Sequence, residues 1–227
     1  MRKNCGSRLL TGCFLGAEGL LYGLFLYGDL TGGDTVLLKY GSILLCLLVS
    51  AFWSVRGGDQ LVTAALAFTL GADTFLLLLD VWYLAGVLLF CAVQGLYLLR
   101  ICRESGGRTL WPLRLGLLVL ALWVLVRLDM LSFLNGVAAL YFTTFLCNVV
   151  QSLSLRGTQL RLFSLGLILF LCCDVCVGAF NQPALVPAGV YSFAQVGMWL
   201  FYLPAQVLIA LSGLPDSVLR GHDHENQ

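Results

Sequence analysis

The chain has 227 residues, of which 59% are hydrophobic and only 11% charged, with a formal net charge of +1 and a mean hydropathy of +0.92. Those proportions exclude an ordinary soluble domain. The apolar mass lies in runs of about 20 residues, each long enough at about 1.5 Å per residue to cross about 30 Å of hydrocarbon. An all-α polytopic membrane protein is therefore expected, rather than a barrel.

In chain order, Arg2, Lys3 and Arg8 precede a first span over 9–28, read as a retained helix because no small-residue cleavage site is evident. Further spans are expected over 35–55, 60–79, 81–101, 110–128, 131–153, 159–180 and 188–212. They make an eight-helix bundle in a single integral membrane domain over 1–227, with 213–227 as a short polar tail that holds His222 and His224. The third and fourth spans leave almost no loop and must turn near Asp80. An even number of spans puts both ends on one side. That side carries Arg2, Lys3, Arg8, Arg56, Arg100, Arg103, Arg108, Arg114, Arg156, Arg161 and Arg220, against Arg127 alone on the other, with Lys39 inside the membrane. The bias predicts cytoplasmic termini and a multi-pass protein of the cell membrane. Lipid headgroups and topology account for the basic loops, so no nucleic-acid partner is expected.

Two carboxylates stand out because they lie mid-span, in FTLGADTFLL (Asp73) and LFLCCDVCVG (Asp174). A charged Asp at the centre of a bilayer helix costs about 2.5–3.5 kcal/mol on insertion scales, which makes such a residue a functional candidate facing the bundle interior. Counting along the helices places Asp73 about 20 Å and Asp174 about 22 Å from the cytoplasmic edge, while Lys39 lies within about 6 Å of the opposite edge. All three fall in the outer part of the membrane. Two carboxylates in one dry pocket can divide the roles of acid and base. Lys39 is suited to neutralise a carboxylate or hold an anionic headgroup. Gln94 with Tyr97, and Tyr202 with Gln206, share helix faces and can position a substrate or a water. Asn181 returns to the face of Asp174, as Asp80 does to that of Asp73. Glu18 lies nearer mid-membrane.

The nine cysteines, Cys5, Cys13, Cys46, Cys91, Cys102, Cys147, Cys172, Cys173 and Cys176, are odd in number and mostly within apolar spans, so they read as small core residues. Adjacent cysteines at 172 and 173 point apart and no histidine lies in a span, so no metal and no cofactor is expected. There is no G-x-S-x-G elbow, no H-E-x-x-H and no Walker loop.

Several of these segments resemble the YhhN-type lysoplasmalogenases. FTLGADTFLL followed by GVLLFCAVQGLY is similar to that family's small-residue-plus-Asp motif and its G-x3-F-x3-H-x2-Y, with Gly86, Phe90, Gln94 and Tyr97 in register and Gln94 where the family usually has His. GLILFLCCDVCVGAFN resembles G-x-x-L-F-x-x-S-D, with Cys173 in place of Ser before Asp174. WLFYLPAQVLIALS resembles Y-x2-A-Q-x-L-I, and LKYGSILLCLL an early intramembrane Lys segment. The resemblance implies an eight-helix enzyme that hydrolyses the vinyl ether of lysoplasmalogens to a fatty aldehyde and a glycerophospho-choline or -ethanolamine. Its partners would be a lysophospholipid substrate and membrane lipids. Asp73 and Asp174 would be catalytic, and Lys39, Gln94, Tyr97, Asn181, Tyr202 and Gln206 would bind substrate. The alternative is a proton-coupled lipid or small-solute transporter that uses the same two carboxylates. An intramembrane aspartyl protease ranks below both, since Ala72 and Cys173 precede the aspartates where its Tyr-Asp and Gly-x-Gly-Asp sequences would stand.

Overall fold

The computed structural model describes residues 2–107, 109–215 and 218, with side chains at 6, 7 and from 9 onward. Arg108, Arg220, His222, His224 and the side chains of Arg2, Lys3 and Arg8 lie outside the described residues. Within them the chain forms α1 (Arg2–Thr31), α2 (Val36–Ser54), α3 (Gln60–Asp73), α4 (Tyr83–Ser105), α5 (Trp111–Arg127), α6 (Phe133–Ser152), α7 (Thr158–Asn181) and α8 (Ala188–Ser212), with no strand. Seven helices are long and apolar enough to cross a membrane, α3 being counted with the helical turn that continues it to Leu78, and α5, with 17 residues, is shorter than these. The end of the bundle where α2 finishes and α3 begins is its near end; the end where α1 finishes and α2 begins is its far end.

Five helices close a ring. α3 packs on α4, α4 on α6, α6 on α7, α7 on α8 and α8 on α3. α2 buttresses α3 and α8, α1 lies against α2 and α8, and α5 packs on α6. Side chains that face the axis of this ring are screened from lipid on every side, which is where polar groups belong in a membrane protein.

Small residues let the ring close. A Cβ built on Gly166 of α7 would meet Ile209 Cγ1 at 2.8 Å and the Ala205 carbonyl oxygen at 3.1 Å, so only glycine admits α8 this closely. α8 itself contains Pro204, whose missing N–H frees the Leu200 carbonyl four residues earlier. The Tyr22 hydroxyl of α1 donates to that carbonyl at 3.1 Å. An unsatisfied carbonyl in an apolar interior is costly. Tyr22→Phe is therefore expected to lower stability by about 1 kcal/mol, read as a lower unfolding midpoint in detergent, although it removes a single oxygen.

The near end is locked by charge. Asp59 caps α3 by accepting from Leu61 N at 3.0 Å, and its Oδ2 pairs with Arg100 Nε at 2.9 Å and Arg103 Nη2 at 2.6 Å. Arg100 also donates to Ser212 Oγ (2.7 Å) and to the Ser212 carbonyl (2.6 Å), and its guanidinium lies 4.4 Å over the Phe163 ring. Arg100 and Arg114 are buried, so these two arginines from the basic flank serve the interior rather than a loop.

Candidate active site

Asp73 is the last α-helical residue of α3. The chain runs on as a π-helical turn over Thr74–Leu78, a geometry that commonly occurs as a single turn at functional sites. This turn replaces the uninterrupted α-helix expected to residue 79. Its packing explains it: Leu76 sits where a Cβ on Gly86 of α4 would come within 2.5 Å of Leu76 Cγ, so the bare backbone of Gly86 gives the widened turn room. Thr74 Oγ1 donates back to the Leu70 carbonyl at 2.8 Å and lies 3.0 Å from Tyr40 Oη of α2, which braces the turn. Beyond it Trp82 takes a left-handed backbone, φ 55°, and stacks on Phe75 at 5.9 Å.

Asp73 is buried, and its Oδ2 accepts from the Tyr202 hydroxyl of α8 at 2.7 Å. Asp174 of α7 is partly buried and is held the same way: its Oδ2 accepts from the Tyr141 hydroxyl of α6 at 2.5 Å. The two carboxylate–tyrosine pairs share one aromatic core. The Phe170 ring lies 5.3 Å from Tyr202, 5.8 Å from Phe90 and 5.0 Å from Phe145, and the last two pack on Tyr141 at 5.8 and 5.9 Å. Cys173 is within electrostatic range of both carboxylates, and Tyr202 within range of Tyr141. The ring thus carries two carboxylates, each oriented by one phenol, around an aromatic wall.

The remaining sequence candidates fall in three places. Lys39 is buried in the first turn of α2 at the far end, where its Nζ bonds Asp29 at 2.8–2.9 Å and lies 4.8 Å over the Trp199 ring. Trp199 packs edge-on against Tyr202 at 5.5 Å, so Lys39 is two rings from Asp73. Gln94, Tyr97 and Gln206 are fully buried, toward the near end from the carboxylates. Asn181 stands apart, exposed at the far end of α7, with its amide donating to the Val177 carbonyl at 2.9 Å. Asp80 accepts from the Tyr83 hydroxyl at 2.6 Å in the exposed α3–α4 turn. Glu18 is buried between α1 and α2, where it accepts from Ser42 and from Cys46 Sγ. Among the described residues, Cys13, Cys46, Cys91, Cys147, Cys172, Cys173 and Cys176 are free thiols.

Four participants were not singled out from sequence. Tyr141, which holds Asp174, had no motif to flag it. Asp29 falls in the last turn of α1, past the end expected for that span, and a short acidic stretch opposite Lys39 was the available signal. Asn148 and Arg114 form a chain into the ring: Arg114 Nη2 donates to Asn148 Oδ1 at 2.9 Å, and Asn148 Nδ2 donates to the Gln94 carbonyl at 2.9 Å and to Gln94 Oε1 at 3.0 Å. Between α5 and α6 lies an apolar groove of about 570 Å³ lined by Leu118, Leu122, Val137 and Leu140 among others.

No curated protein and no solved structure matches this chain. A family model does, over residues 35–213, which takes in α2 to α8 with both carboxylates, both tyrosines and Lys39, and leaves out α1. The protein belongs to the YhhN family.

Proposed function

We propose that the protein hydrolyses the vinyl ether bond of lysoplasmalogens, releasing a fatty aldehyde and a glycerophospho-choline or -ethanolamine. The observation that carries this reading is the pair of intramembrane carboxylates, Asp73 and Asp174, each hydrogen-bonded to one tyrosine, Tyr202 packed on Phe170 and Tyr141 on its neighbours Phe90 and Phe145. Vinyl ether hydrolysis begins when an acid delivers a proton to the outer alkene carbon. The electron pair of the double bond forms the new C–H bond, and the neighbouring carbon becomes an oxocarbenium ion. A base then takes a proton from water as its oxygen bonds that carbon, and the hemiacetal breaks into aldehyde and alcohol with the glycerol oxygen recovering a proton. One carboxyl and one carboxylate supply the acid and the base.

The surroundings fit a single-chain lipid. Lys39 would take the phosphate, and its partner Asp29 offers a carboxylate to the cationic end of the headgroup. Apolar walls between the helices would take the alkenyl chain. The test is to incubate the purified full chain with choline and ethanolamine lysoplasmalogens in mixed micelles and assay aldehyde. Aldehyde from a lysoplasmalogen, with none from a saturated ether-linked lysolipid, is the expected result. No aldehyde, with proton-gradient-dependent uptake of solute or lipid into proteoliposomes, would favour the transporter reading instead.

A further inference from the structure

Three buried amide atoms near the axis of the ring meet no hydrogen-bond partner: Gln94 Nε2 of α4, and Gln206 Nε2 and Oε1 of α8. Both side chains have 0% exposure. Helix register puts them at one depth. Arg100 bonds Ser212 across the parallel helices α4 and α8, and six residues back along each are Gln94 and Gln206. α3 runs antiparallel to α8, with Val62 against Gly213 and Asp73 bonded to Tyr202; the same register sets Thr69 opposite Gln206. Thr69 Oγ1 in turn neighbours the Tyr97 hydroxyl, and both are buried. A polar layer therefore lies one helical turn from Asp73 toward the near end.

The donor sense of this layer is fixed from outside the ring. Arg114 can only donate, so Asn148 must present its oxygen to Arg114 and its NH2 to Gln94. Gln94 Oε1 is thereby occupied as an acceptor, and Gln94 points a pure donor into the layer. A molecule that satisfies it must accept from Gln94 Nε2 and Gln206 Nε2 and donate to Gln206 Oε1. Water does this with three bonds, the usual number for a buried water.

We propose that Gln94 and Gln206, beside Thr69 and Tyr97, hold an ordered water between α3, α4 and α8, that this water feeds the hydrolysis at the carboxylates, and that Arg114 and Asn148 are positioning residues for it. The assignment of the water's use rests on the hydrolase reading above; its binding does not.

X-ray hydroxyl-radical labelling of the full chain in detergent tests the binding, because radicals formed from a bound water mark the side chains beside it. Tyr97, only 1% exposed, is expected to be labelled at least about fivefold above Phe145, which is equally buried but sits in the apolar cluster. Gln206→Met keeps the side-chain length and removes both amide atoms; it should abolish the Tyr97 label and lower kcat for aldehyde release about tenfold at unchanged KM. An unlabelled Tyr97 in the wild type overturns the site. So does a higher unfolding midpoint for Gln206→Met, which marks a dry amide relieved of its desolvation. Asn148→Asp, which keeps the acceptor for Arg114 but removes the NH2, should also lose the Tyr97 label; an unchanged label overturns the positioning role. Loss of label in Gln206→Met with unchanged kcat overturns the use of this water in catalysis. A labelled wild type that releases no aldehyde from any lysoplasmalogen leaves the water site standing and sinks the hydrolase reading alone.

Discussion

Asp73→Asn and Asp174→Asn are each expected to reduce aldehyde release from a lysoplasmalogen by at least about 10²-fold, the low end of what a general acid or base contributes. Asparagine is chosen because it separates chemistry from folding. Its carbonyl oxygen still accepts from the Tyr202 or Tyr141 hydroxyl, so the hydrogen bonds at 2.7 and 2.5 Å have a counterpart in each variant. Side-chain volume is unchanged, and a neutral amide is cheaper to bury than an ionised carboxylate. Expression and helix content should match the wild type, and the deficit should appear in kcat with little change in KM.

Three companion variants sharpen the result. Tyr202→Phe and Tyr141→Phe leave both carboxylates in place and remove only what orients them, so losses nearer tenfold are expected, as for an imperfectly aimed group. The Asp73→Asn/Asp174→Asn double variant should be no worse than either single one, since an acid and a base that act in one reaction fail together. Full aldehyde release by either single Asn variant would refute the paired-carboxylate mechanism. Strictly multiplicative losses in the double variant would place the two groups in separate tasks.

Much of this was legible in the sequence because the membrane makes polarity expensive. Eight apolar runs, and two acids within them, stand out without any knowledge of packing. What resisted reading depends on tertiary contact. The π turn after Asp73 exists because Leu76 seats against the bare Gly86 backbone, and neither residue alone announces it. Tyr141 and Tyr202 look like any interhelical phenols until the partner helix supplies a carboxylate. Arg100 and Arg114 illustrate the limit of counting charges by position: a guanidinium near a helix end can reach water or turn inward, and the choice is made by whether Asp59 and Ser212, or Asn148 and Gln151, wait there. For Lys39 the sequence offers a carboxylate to neutralise or an anionic headgroup to hold, and tertiary contact supplies the carboxylate from Asp29 in the last turn of α1.

Arg100→Leu is expected to lower stability by about 3–5 kcal/mol, the cost of breaking a buried ion pair from one side. The side chains of Arg100 and Asp59 are 2% and 10% exposed, so little solvent screening tempers their attraction. Leucine fills most of the volume yet strands the Ser212 carbonyl and leaves Asp59 with Arg103 alone, whose side chain is 52% exposed. Arg103→Leu, made for comparison, should cost less than about 1 kcal/mol, as exposed pairs do. Arg100→Lys should recover little, because one ammonium on a flexible stem cannot span Asp59 Oδ2, Ser212 Oγ and the Ser212 carbonyl together. Asp59→Asn in the Arg100→Leu background should restore part of the loss, since it removes the stranded charge while its side-chain oxygen still caps α3 at Leu61 N. Unfolding midpoints in detergent for the wild type and the four variants form the measurement. Equal losses for Arg100→Leu and Arg103→Leu would show that the near end is held by surface electrostatics. The predicted inequality would place the lock where α4 meets α8, six residues along each helix from Gln94 and Gln206. A break there would slide the two amides out of register, so Arg100→Leu should also weaken the Tyr97 radical label in whatever fraction remains folded.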